Sequence, residues 1–324
     1  MAMKKLLVAG AVAALGASMA GSAHADALAQ ATLKVTNFKF TSGGSPLDAS
    51  AFSFLAITDG TTLAAKLNGI QDVTPYTGIS IGGGGFAKQT LCSPAGSCPD
   101  PFVLQPHPAM GASSTSASEL NGVPITGLPD GKGGSYAYGA NATTAAFAQV
   151  LLNGNGQAQS GLTLNSQISF TLNQASKIGF TFDADQILKA WAGNSFSNAT
   201  ATNSLSFTLN YIDALTGDTV EVFSWTPGAG LGGITGGTVL AASGCNINAT
   251  AARGMPPGGL NDKSCTGSFS AQEDTLLQAG IVYTLGIGQQ STVNVLSIPE
   301  PSSVMLAGLA LAGLGFAGLR RRKG

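Results

Sequence analysis

The sequence predicts an all-β fold, an antiparallel β-sandwich for which a jelly-roll-like form is one candidate, with long Gly/Pro/Ser-rich loops and little helix. Three observations predict it. Runs of alternating apolar and polar residues recur at hairpin spacing. Turn-forming dipeptides and glycine-rich stretches separate these runs. Charged residues make up only 10% of the chain, against a globular average of about 25%; Gly, Ser, Thr and Asn supply the polarity instead.

Ala31, Leu33 and Val35 alternate with Thr32, Lys34 and Thr36, a strand pattern. The phase shifts at Asn37 and resumes at Phe38 and Phe40, which predicts a β-bulge. Phe52–Thr58 reads as a second strand ending at the turn dipeptide Asp59-Gly60. Residues 82–140 are dense in Gly, Pro and Ser and predict an irregular excursion with one or two short strands. Ala145–Leu152 fits helix or strand equally.

Leu162, Leu164, Ile168, Phe170 and Leu172 form the apolar set of one strand. Asn173–Ser176 reads as a turn and Ile178, Phe180 and Phe182 as the returning strand of a hairpin. Asp185 is placed to cap a short helix through Ile187, Leu188 and Trp191, stopped near Gly193. Leu205, Phe207, Leu209 and Tyr211 alternate again; Thr216-Gly217-Asp218 turns the chain, and Val220, Val222 and Trp225 return. A glycine-rich loop covers 228–237. Ile281, Tyr283, Leu285 and Ile287 predict a late strand, and Val293 and Val295 a last one.

Both ends read as targeting segments. Lys4 and Lys5 precede an apolar run from Leu6 to Ala20, and Ala23-His24-Ala25 supplies small residues where a signal peptidase reads. Residues 1–25 are therefore expected to leave as a signal peptide. At the other end Pro299 and Pro301 break the chain. Val304–Leu319 then runs for 16 uncharged residues, which as a transmembrane helix span about 24 Å, short of the roughly 30 Å hydrocarbon core. Arg320, Arg321, Arg322 and Lys323 follow and are expected to stay cytoplasmic. The division is thus 1–25, an exported β domain at 26–297, and a C-terminal signal at 298–324.

Without these ends the chain keeps nine basic and fifteen acidic residues, a net charge of −6, with Arg253 the sole arginine. An acidic core with no basic stripe argues against nucleic acid as a partner. Cys92, Cys98, Cys245 and Cys265 would meet an oxidising compartment, and the expected disulfides are Cys92–Cys98 and Cys245–Cys265, each bracketing a loop-like stretch.

Chemistry-bearing motifs are sparse. His107 is the sole histidine of the mature part, held in Pro106-His107-Pro108, and no GxSxG elbow is present. Residues 228–233 fit GxGxxG but lack the strand before and helix after that a dinucleotide site needs. Asp183 and Asp185 flank Ala184 and, on an extended chain, point the same way, as a Ca²⁺ site or a glycosidase pair would require. Asp213 and Asp218 read as turn residues, and Glu273-Asp274 as a solvated turn. Asn141, Asn198 and Asn248 each open an N-x-T triplet. Tyr136 and Tyr138 are the better candidates for stacking on sugar rings; Trp225 reads as core, and Trp191 is a further aromatic. No catalytic residue, cofactor or metal site is assigned.

The C-terminal combination of Pro299-Glu300-Pro301, apolar segment and basic end resembles the PEP-CTERM proteins of Gram-negative bacteria. The resemblance is confined to about 298–323. It implies that Pro299, Glu300 and Pro301 are read by an exosortase, which cleaves near the motif and releases or transfers the protein to the cell surface. The implied course is signal peptidase and exosortase as partners, a transient stay in the inner membrane, and a non-catalytic role with exopolysaccharide in biofilm. A carbohydrate- or calcium-binding β-sandwich is the alternative, followed by a secreted hydrolase built on Asp183 or Asp185.

Overall fold

The computed structural model describes residues 27–78, 82–93, 98–105, 112–130, 132–150, 156–193, 197–228, 233–254 and 259–297, without the side chains of 74–93, 156–157, 162 and 259. The strands are β1 (Ala27–Ser42), β2 (Ser45–Pro46), β3 (Phe52–Leu67), β4 (Ile70–Gly78), β5 (Gly82–Ser93), β6 (Ala112–Gly122), β7 (Ala140–Val150) and β8 (Gly156–Leu172). They continue as β9 (Gly179–Ala192), β10 (Asn198–Ile212), β11 (Thr219–Trp225), β12 (Ile234–Thr235), β13 (Gly237–Ala241), β14 (Ala249–Arg253), β15 (Gly259–Glu273) and β16 (Val282–Ser297). One 3₁₀ turn covers Ala49–Ala51. Every strand pairing is antiparallel, as in β1 with β7 and β9 or β16 with β8 and β10.

Two sheets result. One runs β13-β15-β9-β1-β7-β6-β5 with β2 beside β1; the other runs β12-β11-β10-β16-β8-β3-β4 with β14 beside β10. Packed face to face they form the predicted all-β sandwich. The first strand of the described chain, β1, and the last, β16, each lie inside a sheet with a neighbour on both sides.

Several strands are long, such as the 16-residue β16, which at roughly 3.3 Å per residue extends about 50 Å. The interior changes character along this length. At one end aromatic rings from both sheets interlock. Phe38, Phe180 and Phe182 of one sheet face Phe207 and Trp225 of the other, with Phe38–Phe207 at 5.7 Å and Phe182–Trp225 at 5.6 Å between centroids. At the other end the core is mostly alanine, including Ala27, Ala29, Ala31, Ala146, Ala148, Ala199 and Ala201, and it holds both the start of β1 and, with Val293 and Val295, the end of β16.

A buried polar belt separates the two ends. Gln289 Nε2 donates to Leu33 O at 2.8 Å and Thr144 Oγ1 at 3.1 Å. Ser291 Oγ donates to Asn203 Oδ1 at 2.7 Å, and Asn203 Nδ2 donates to Thr32 O at 2.9 Å. Each of these bonds except Ser291–Asn203 crosses from one sheet to the other, so Gln289, Ser291 and Asn203 find partners where small side chains let the backbones approach. Nearby, Ser160 Oγ of β8 donates to Thr115 O of β6 at 2.6 Å, a further cross-sheet bond.

The bulge at Asn37 is present. Both β1 ladders shift register there, and Asn37 has φ 57°, a left-handed conformation that asparagine tolerates. Its N–H donates to Asn141 Oδ1 at 3.0 Å. The β10–β11 hairpin also forms as expected, with Asp213 Oδ1 accepting from Leu215 N at 2.7 Å in the turn.

Other elements differ from the sequence reading. The predicted 162–182 hairpin is an arch between the sheets: β8 pairs with β16 and β3, whereas β9 pairs with β1 and β15. The connecting backbone bonds to other segments, Asn173 N to Ala51 O and Ser176 N to Leu277 O, so the two strands face each other rather than pair. The predicted helix after Asp185 is the continuation of β9. There Gln186, buried and donating to Ile247 O at 2.6 Å, interrupts an apolar alternation that Leu188 and Ala190 resume. Asp59-Gly60 is not a turn; β3 runs through it to Leu67, and the chain reverses at Asn68-Gly69, with φ 50° and 86°. That pair of positive angles is what a two-residue type I′ hairpin requires, and Asn-Gly supplies it.

Residues 82–140 hold the full-length strands β5 and β6, 12 and 11 residues, before an irregular stretch from 123. The ambiguous 145–152 region is strand through Val150. The two predicted C-terminal strands are one, β16, whose middle is filled by Gly286, Gly288 and the four polar residues Gln289, Gln290, Ser291 and Thr292 instead of apolar ones.

Cys245 and Cys265 form the expected disulfide, closing 20 residues of chain between the end of β13 and the middle of β15. Cys98 is also disulfide-bonded, and the side chain of Cys92 lies outside those described. A loop of this size predicts a loss of about 3 kcal/mol when Cys245 and Cys265 are both changed to serine. Denaturant unfolding of the oxidised protein and the double variant measures it.

Candidate functional site

Asp183 and Asp185 do share a face, the outer side of β9. Their oxygens are taken up by neighbouring side chains: Ser268 Oγ donates to Asp183 at 2.6 Å, Asn37 Nδ2 donates to it at 3.4 Å, and Thr266 Oγ1 donates to Asp185 at 3.1 Å. Among the described residues no group of three or more His, Cys, Asp and Glu is placed to hold a metal ion. His107 lies outside the described residues, as does most of the 228–233 glycine stretch.

The aromatic candidates are built into the fold. Trp225 is buried in the ring cluster. Tyr138 is partly buried beneath Lys39, whose Nζ sits 4.7 Å from the ring centroid, and burial raises its hydroxyl pKa. Tyr136 packs against the main core and Trp191 is half-buried. Asn141 and Asn248 are engaged as acceptors, from Asn37 N at 3.0 Å and Leu205 N at 2.7 Å.

Two acidic residues that the sequence reading placed in turns are instead buried. Glu273, at the end of β15, is 1% exposed. Its Oε1 accepts from Ile178 N, and its Oε2 is buried without a partner. Desolvation pushes its pKa from 4.5 up to about 8. Asp274 beside it accepts from Thr238 Oγ1 at 2.8 Å.

Asp59 is 6% exposed and points between the sheets from β3. It stands directly opposite Ser166 of β8, whose side chain hydrogen-bonds it, while its Oδ2 is buried without a partner. Burial raises its pKa, with the Ser166 bond opposing. Asp59 and Ser166 line a cavity of about 60 Å³ beside the bulge of β1, walled by Val35 and Phe38 of one sheet and Ile57, Leu164 and Leu205 of the other. Both acids were detectable in principle. Asp59 is in phase with Ile57, Thr61 and Leu63, and Glu273 with Phe269 and Ala271, so alternation alone puts each on the inner face.

The signal residues at the two ends, Ala23, Ala25, Pro299, Glu300, Pro301 and Arg320–Lys323, lie outside the described residues, as does the apolar segment 304–319. Among the described residues no helix is long and apolar enough to cross a membrane. The structure shows what leads into the C-terminal signal: β16, paired with β10 up to Leu296 and with β8 up to Ser297, which is itself fully buried.

Residues 297–323 match the PEP-CTERM protein-sorting motif family. The match begins at the last residue of β16. No curated protein matches the chain. Among solved structures, a chain of infectious bursal disease virus (Gt strain) aligns with 10% identity over 86% of this chain and 82% of its own, at a TM-score of 0.10, and carries no argument. A chain bearing the PEP-CTERM motif is directed to exosortase-dependent export toward the cell surface.

Proposed function

We propose that the protein is a surface or extracellular-matrix component that performs no catalysis and associates with exopolysaccharide in biofilm. The observation that carries this reading is the sorting motif at 297–323, joined without a spacer to a β-sandwich. The acidic balance of the exported part supports it. So does the engagement of Asp183 and Asp185 by hydroxyl and amide donors instead of an open site.

In this reading signal peptidase removes residues 1–25 after Ala25. The apolar segment 304–319 then holds the folded domain at the inner membrane, with Arg320, Arg321, Arg322 and Lys323 inside. Exosortase acts near Pro299-Glu300-Pro301. Mass spectrometry of the protein recovered from the cell surface should find Asp26 as the first residue and no Arg320–Lys323 peptide. A surface-located protein that retains this basic end overturns the reading.

A further inference from the structure

At the end where the chain runs into its C-terminal signal, the outer face of the sheet holding β1 and β9 carries an apolar patch. Trp191 of β9 stands opposite Leu28 of β1 on one side and Leu260 of β15 on the other. All three point outward, because Ala27, Ala29, Leu188 and Ala190 beside them face the core and directly paired residues share a face. Leu28 is fully buried, Trp191 half-buried and Leu260 47% exposed. The segment 98–105 crosses the next outward row, about 7 Å along the strands. Gln30 Nε2 donates to Pro101 O at 3.1 Å and Val103 O at 2.8 Å, and Lys189 Nζ donates to Gln105 O at 2.8 Å. This segment turns Val103 and Leu104 to solvent, 56% and 54% exposed.

What covers the patch follows from where the chain leaves the sandwich. β1 begins and β16 ends in the same alanine-rich end of the core. Only the six residues 298–303 separate Ser297 from the apolar segment 304–319. Fully extended they span about 20 Å, so a bilayer that receives this segment lies within that distance of Ser297. The two sheets are roughly 10 Å apart, which brings the patch on the facing sheet to the same level. Tryptophan beside aliphatic side chains suits the boundary between headgroups and acyl chains, where an amphipathic ring and apolar carbons are both accommodated. The exported part carries a net charge of −6, so apolar contact rather than attraction to anionic headgroups has to hold it there. Lipid is the partner that the length of the chain itself delivers to this patch.

We infer that, while the tail is inserted, the sandwich leans on the bilayer surface through Trp191, Leu260, Val103 and Leu104. The inference deepens the proposed sorting course and rests on the apolar segment 304–319 entering the membrane. The contact fixes how the domain is tilted while it is tethered.

Tryptophan fluorescence tests it, with the full chain purified from the membranes of a host that lacks exosortase and reconstituted in phosphatidylcholine vesicles. Flotation reports tail insertion, and quenching by acyl chains brominated near the headgroup reports docking. The chain has two tryptophans, and Trp225 is buried in the ring cluster. Quenching should therefore come from Trp191 and disappear in Trp191→Phe. Val103→Ser combined with Leu104→Ser should lower the ratio of docked to undocked domain about tenfold, and quenching with it, while flotation and thermal unfolding stay as in the parent. Ile212→Ser, at the opposite end of β10 from the tail and 68% exposed, should change none of these. Floating protein whose emission is not quenched, quenching that survives in Trp191→Phe or in the Val103→Ser, Leu104→Ser variant, or an equal loss in Ile212→Ser overturns the docking and leaves the sorting course standing. A full chain that fails to float overturns both.

Discussion

The folded protein should lose stability as pH rises from about 4.5 to about 8, by on the order of 4 kcal/mol, and Glu273 should be the cause. In the unfolded chain this carboxyl ionises near 4.5; in the fold, burial holds its proton until about 8. Between those values the folded state binds more protons than the unfolded state, so the slope of stability with pH is negative. The full contribution is present below about 4.5 and is gone above about 8. Ionisation would leave a charge in the interior, where Oε2 has no donor. Urea unfolding across this range measures the slope. Glu273→Gln, which cannot ionise and can still accept from Ile178 N, should flatten it. An equally steep slope in that variant would show that the acid is not responsible. Asp59, whose pKa burial also raises, contributes in the same direction.

Phe207→Ala should destabilise the protein by about 4 kcal/mol. Phe207 is 1% exposed and touches rings on both sides of the sandwich, Phe38 at 5.7 Å, Phe182 at 5.3 Å, Phe180 at 6.4 Å and Trp225 at 5.5 Å. Truncation removes the burial of one ring and leaves a void that rigid neighbours cannot fill, because each is itself held by other rings. Phe54 supplies the contrast: it is 48% exposed, and Phe54→Ala should cost less than about 1 kcal/mol. Chemical denaturation of both variants checks the pair. Equal costs would mean that the aromatic end is not the principal core.

How far the fold was legible in sequence depended on what alternation encodes. A period of two states which face a residue occupies, not which strand lies beside it. The bulge at Asn37 and the β10–β11 hairpin were legible because a phase shift and a short polar turn are local events. The arch between Leu172 and Ile178 was not, because strands that pair and strands that face each other across a core show the same apolar phase. β9 was mistaken for a helix where Gln186, facing inward, and Lys189, on the opposite face, are both buried and are satisfied by Ile247 O and Gln105 O, acceptors remote in sequence. Residues 82–140 looked irregular because serine replaces apolar residues in β6; Ser114 reaches Gln159 O on the facing sheet at 2.6 Å. Glu273 and Asp59 were taken for turn residues by type, although their phase placed them inside.

The placement of β16 has a mechanical consequence. If the tail is held in a membrane as proposed, any drag on the exported domain pulls along β16 from Ser297. An edge strand loaded this way could peel off its single neighbour. β16 is laced to β10 on one side and β8 on the other, with its register to β8 unbroken from Val282 to Ser297. A pull along its axis loads both ladders in shear, and many hydrogen bonds must fail together before the strand slides. β1, at the same end of the sandwich, is gripped in the same manner between β7 and β9. In the proposed arrangement the domain is thus moored by a strand held on both sides, which suits it to bear tension there.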